Sequence, residues 1–100
     1  IQPLPRFPAV ERDIAMIVAD TVPYAEVATT IRQAGGALLE RMALFDVYRG
    51  PQVPEQHRSL AFSLTFRAPD RTLSDEEVDT AMTSIEQEVV RRYNARIRGR

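Results

Sequence analysis

In the stretch Phe45-Asp46-Val47-Tyr48-Arg49-Gly50, an acid and an aromatic stand two residues apart. Side chains of an extended chain alternate between faces, so Asp46 and Tyr48 emerge together while Phe45 and Val47 point the other way. With Phe45 and Val47 turned to a core, the surface receives a hydrogen-bond acceptor beside a flat aromatic face. A carboxylate only accepts hydrogen bonds, which suits the N1–H and exocyclic amine of a guanine edge. An aromatic ring stacks on a base with about 1–3 kcal/mol. Unstacked loop bases of RNA are read in this manner.

Other chemistries find less support. There is no cysteine, which excludes disulfides, thiolate metal sites and a cysteine nucleophile. His57 is the single histidine; it lies in a loop without a companion nucleophile, so no catalytic or metal role is expected. The acidic cluster in Ser74-Asp75-Glu76-Glu77 is explained by helix capping and the helix dipole. Gly35-Gly36 reads as a helix stop, with no phosphate-binding fingerprint around it.

Charge narrows the partners. The formal net charge is −1, and all 13 basic residues are arginine. Near-neutrality argues against strong nonspecific nucleic-acid binding, which needs many phosphate contacts. No DNA partner is expected; recognition of a few exposed bases remains open. Arg12, Arg49, Arg58 and Arg67 fall at strand ends near the candidate face and are the candidate phosphate contacts. No apolar run approaches the roughly 20 residues of a membrane span, and no signal-peptide pattern opens the chain. A cytoplasmic location and no membrane partner are expected. The chain begins at Ile1 in the proline-rich IQPLPRFP. It reads as one domain over 1–100, excised from a longer chain, with an extended linker over 1–10.

The elements that must position Asp46 and Tyr48 follow from periodicity. RDIAMIVAD predicts a strand over about 12–19. Pro23 suits a first helical position, with Val27, Ile31 and Ala34 on one helical face ahead of Gly35-Gly36. A second strand is expected over about 39–49, and GPQVPEQH is a loop. In SLAFSLTF, Leu60, Phe62, Leu64 and Phe66 alternate with Ser59, Ala61, Ser63 and Thr65, a half-buried third strand. Ser74 and Glu77 form a capping box for a helix whose buried stripe is Val78, Met82, Ile85 and Val89, with Ala81 beside it. Asn94 ends that helix, and ARIR supplies a short last strand. The order β-α-β-β-α-β predicts an α+β, ferredoxin-like sandwich: a four-stranded antiparallel sheet with two helices on one face.

The second and third strands can be paired without a structure. If Tyr48 opposes Ser59, then Val47 opposes Leu60, Phe45 opposes Phe62 and Ala43 opposes Leu64, all core-type pairs. Asp46 then opposes Ala61 on the other face, where Ala15 of the first strand also points. Both faces are chemically coherent, and a slip of one residue mixes them. Met42 and Leu44 fall outward in this register, which calls for either a bulge or a neighbouring domain at that end.

PRFPAVERDIAMIV, the helix ending in AGG, LFDVYRG, and SLAFSLTFRAPDRTLSDEEV together resemble the C-terminal anticodon-binding domain of the bacterial phenylalanine–tRNA ligase beta chain. The resemblance covers essentially the whole chain. It implies a non-catalytic domain that grips the anticodon loop of tRNA(Phe), within an assembly of two alpha and two beta chains. ATP and magnesium serve that parent enzyme, with the chemistry on the alpha chain and no cofactor in this domain. By resemblance, Tyr48 stacks on the first anticodon base, Asp46 reads the same guanine, and Ser59 and Ala15 line the site. The short NARIRGR ending departs from the pattern, leaving Arg96 and Arg98 as the candidates from the last strand.

Two readings from other classes compete. A small-molecule regulatory domain of this topology carries a glycine-bearing ligand loop after the first strand, and ADTVPYAEV has no glycine. A structural docking module would use the outward Met42 and Leu44.

Overall fold

The computed structural model describes residues 7–99. Its elements run β1 (Val10–Ala19), α1 (Tyr24–Gly35), a short 3-10 turn (Gly36–Leu38), β2 (Leu39–Tyr48), β3 (His57–Phe66), α2 (Asp75–Tyr93) and β4 (Arg96–Gly99). The strands form one antiparallel sheet in the order β2-β3-β1-β4, with β1 and β3 central and β2 and β4 at the edges. This is the expected ferredoxin-like sandwich. Of the linker expected over 1–10, residues 1–6 lie outside the described residues, and Val10 already belongs to β1.

Local chemistry sets the boundaries. Pro23 occupies the N-cap of α1 in an extended conformation, one position earlier than expected, and Gly36 ends the helix at φ 71. Only glycine takes that backbone without strain. For α2, Ser74 accepts from the Glu77 backbone N–H while the Glu77 carboxylate accepts from the Ser74 backbone N–H, a complete capping box. Asn94 closes the helix in the left-handed conformation. A hydrogen bond from Arg71, and secondarily one from the Ser74 N–H, holds the Glu77 carboxyl below its ordinary pKa.

One face of the sheet carries the core. Ile14, Met16 and Val18 of β1 and Leu60, Phe62, Leu64 and Phe66 of β3 are buried against Val27 and Ile31 of α1 and Val78, Met82, Ile85 and Val89 of α2. Tyr93 at the end of α2 ties the two helices together, its hydroxyl 2.7 Å from Thr30 Oγ1 and donating to the Glu26 carbonyl at 3.0 Å.

The expected pairing of β2 with β3 holds only at one end. Tyr48 opposes Ser59, Val47 opposes Leu60 and Asp46 opposes Ala61, and then the register shifts. Leu44, not Phe45, opposes Phe62, and Met42, not Ala43, opposes Leu64. Phe45 is the inserted residue of a β-bulge, which inverts the faces of residues 41–44; a second shift between Leu39 and Arg41 returns Leu39 to the core. Met42 and Leu44 therefore pack on the core. The expectation that Phe45 and Val47 face the core is corrected: they are 58% and 50% exposed, at a corner of the sheet on its edge strand. The bulge also removes the outward Met42 and Leu44 on which the docking-module reading rested.

Candidate nucleic-acid interface

The face opposite the helices is floored largely by small side chains around Ala15, Ser59, Ala61 and Ser63, with Ile17 and Asp13 among them. Ala15 opposes Ala61, Asp13 and Ala43 both oppose Ser63, and Ile17 opposes Ser59. Tyr48 and Asp46 project from the edge strand on this same side, opposite Ser59 and Ala61. The four residues singled out from the sequence, Tyr48, Asp46, Ser59 and Ala15, thus share one face. Asp46 is exposed. Arg58, an alternative partner for it, turns away and donates instead to the Ala19 and Val22 carbonyls at 2.9 Å each.

Ser59 is only 2% exposed. Ile17, beside it on the same face, is 6% exposed. The Arg98 guanidinium lies over the Tyr48 ring, 4.6 Å from its centroid. Tyr48 stands on one edge strand and Arg98 on the other, so the two side chains meet above β3 and β1.

The loop after β2 holds the ring from its other end. A Cβ built on Gly50 would lie 2.0 Å from Tyr48 Oη and 2.4 Å from Cζ. No side chain fits there, and the requirement is space rather than backbone conformation. The Tyr48 hydroxyl donates to Gln52 Oε1 at 3.4 Å, and Val53 N–H bonds the Gly50 carbonyl at 3.0 Å to close the turn. Sequence reading had assigned Gly50 only to a loop. A glycine two residues after an aromatic at a strand end was the available signal.

Of the four arginines expected near this face, one stays beside the shelf. Arg49 donates to Asp20 Oδ2 and to the His57 carbonyl, both at 3.0 Å, bracing the strand ends next to Tyr48. That hydrogen bond holds the Asp20 carboxyl below its ordinary pKa and raises that of Arg49. The other three are corrected in position. Arg12 opposes Leu64 and Arg58 opposes Val18, so both sit on the helical side. Arg12 pairs with Asp75 at 3.5 Å, and the Arg58 side chain is 12% exposed. Arg67 follows β3 at the end opposite Ser59, with both Glu40 carboxylate oxygens at 3.2 Å. Parity explains the first two: even-numbered positions on β1 and β3 face the helices.

No group of three or more metal-ligating side chains occurs among the described residues. His57 Nδ1 lies 2.8 Å from the Glu55 carbonyl within its turn. No helix of the described residues is long and apolar enough to cross a membrane. On the helical side, Glu86, Gln87, Val90, Arg91 and Ile97 line a surface depression of about 380 Å³.

A split β-α-β sandwich with an aromatic, an acid and small residues on its uncovered face is an architecture suited to single-stranded nucleic acid. Comparison with known proteins gives the family. Residues 5–98 match the model of the ferredoxin-fold anticodon binding domain, and the chain belongs to that family. It is 55% identical to the phenylalanine–tRNA ligase beta subunit of Moorella thermoacetica over 97 residues, which is 97% of this chain and 12% of the relative. The beta subunits of Synechococcus elongatus and Corynebacterium efficiens are each 47% identical, over 97 and 96 residues. The chain spans 12% of the length of each of these relatives.

Proposed function

We propose that this domain recognises the anticodon loop of tRNA(Phe) for a phenylalanine–tRNA ligase, as part of its beta chain. Tyr48 stacks on the first anticodon base, and Asp46 accepts hydrogen bonds from the Watson–Crick edge of that guanine. Ser59 offers a hydroxyl to the base or backbone, and the absence of bulk at Ala15 and Ala61 leaves room for a planar ring. The observation that carries this reading is the register: Tyr48 opposite Ser59 and Asp46 opposite Ala61 set ring and carboxylate side by side on the uncovered face. The domain performs no chemistry. In this reading ATP, magnesium and the alpha chain belong to the parent assembly, which works in the cytoplasm. Arg49, beside Tyr48, is the strand-end arginine best placed for a phosphate.

The test is Tyr48→Ala, read by titration with a tRNA(Phe) anticodon stem-loop. Loss of one stacked base weakens binding roughly 5- to 150-fold. In the parent enzyme the same change raises the KM for tRNA and leaves amino-acid activation unaltered. Unchanged stem-loop affinity, or lost activation, contradicts the proposal.

A further inference from the structure

We propose that Arg98 is a removable cap on the base-binding shelf, and that RNA binds by exchange: the guanidinium leaves the Tyr48 ring, a base takes its place, and Arg98 re-pairs with a nearby phosphate. The inference rests on the reading of Tyr48 as a base platform. Two observations carry it. The guanidinium occupies a face of the Tyr48 ring, 4.6 Å from the centroid, and a base that stacks on that face has to displace it. Ser59, which opposes Tyr48 across the strand pair, is only 2% exposed, so little of the floor beside the ring is open in the free chain.

The chemistry of both partners permits the exchange. An exposed arginine–tyrosine contact is weak, so the need to displace it on binding lowers the wild-type affinity by only about two- to fivefold. A stacked base more than offsets that. The cap shields one face of the ring, which is only partly exposed in the free chain. Arg98 belongs to β4, whose neighbour Arg96 opposes Ile17 on the same face. A guanidinium displaced from the ring is released on the face of the bound strand, where phosphates compete for it with the exposed Asp13 and Asp46 carboxylates.

Exchange has a signature that simple contact lacks. In Arg98→Ala the cap and the phosphate contact vanish together, and only the second is screened by salt. Stem-loop affinities of the wild-type and R98A chains are measured from about 50 mM to about 500 mM salt. The ratio of mutant to wild-type Kd falls about fivefold across that range, as one single-strand phosphate contact requires. At the high end R98A binds as tightly as wild type, or up to about two- to fivefold tighter. Arg98→Lys keeps the charge and keeps the wild-type salt slope. In nuclear magnetic resonance spectra, the Arg98 Nε–H signal, displaced by the Tyr48 ring current in the free chain, returns toward its ordinary position when the stem-loop is added. A Kd ratio that does not change with salt, whatever its value, overturns the exchange, as does an Nε–H signal that keeps its ring-current displacement in the complex. Tyr48→Ala separates the two levels: if it leaves binding intact, the platform reading itself fails, whereas a salt-independent R98A beside a weakened Y48A removes the cap alone.

Discussion

On the helical face of the sheet, seven large side chains from β1 and β3 are buried against two amphipathic helices, and none is free to do anything but pack. On the opposite face the same two strands present Ala15, Ser59, Ala61 and Ser63, with an aromatic and a carboxylate supplied by the edge strand. One strand pair thus serves two purposes, separated by parity alone. The helical face holds the fold through apolar burial. The other face keeps Ala15, Ser59, Ala61 and Ser63 small, with Ile17 the large apolar exception, so that the ring of Tyr48 can be shared with a ligand.

Truncating one aromatic on each face breaks this comparison most directly. Phe62→Ala removes a fully buried ring and is expected to cost about 3–5 kcal/mol in denaturant unfolding. Tyr48→Ala is expected to cost less than about 1 kcal/mol of stability while abolishing most stem-loop binding. Similar losses of stability from both would mean that the uncovered face is structural as well.

Gly50→Ala sharpens the binding side. Its Cβ cannot coexist with the Tyr48 hydroxyl, so the ring must turn away. Binding falls roughly tenfold, approaching the Tyr48→Ala loss, while the circular dichroism spectrum stays unchanged. Wild-type affinity in this variant would show that the ring orientation is immaterial.

On the stability side, Ser74→Ala opens the α2 capping box and costs about 1 kcal/mol. For a domain of this size that is about 4–8 °C in Tm, with stem-loop affinity unaffected.

The smallest expected effect is on pH dependence. Arg49 depresses the pKa of Asp20, so that pair's stabilisation is fully present above the ordinary carboxylate pKa and is lost as pH falls through the lower folded value. Asp20→Asn should flatten the acid limb of the stability profile in that window alone. A change confined to neutral pH would show that another group is responsible.

The face with the core was readable from the sequence because burial imposes a period. Leu60, Phe62, Leu64 and Phe66 alternate on β3, and Val78, Met82, Ile85 and Val89 form a helical stripe; both landed as expected. Caps were readable too, since Ser74, Glu77 and Asn94 act within a few residues of themselves. The bulge at Phe45 was not fixed in place: one extra residue on an edge strand leaves two short runs, each with acceptable alternation in either register. Tyr48 and Asp46 were placed correctly because they lie on the hairpin side of that bulge. The parity that placed Ala15 and Ser59 also carries Arg12 and Arg58 to the helical side, where strand-end position alone had suggested the other. Arg98 over Tyr48 depends on two long side chains meeting across the width of a sheet, and neither local spacing nor periodicity encodes such a contact.

The central claim is that the uncovered face, at its Tyr48 end, is where the anticodon binds. Backbone amide shifts of the chain, titrated with a tRNA(Phe) anticodon stem-loop and with one altered at the first anticodon base, test it most directly. The account predicts shifts at Asp46, Tyr48, Ser59 and Ala15 that shrink with the altered loop. Shifts confined to α1 and α2, or equal shifts with both loops, would contradict it.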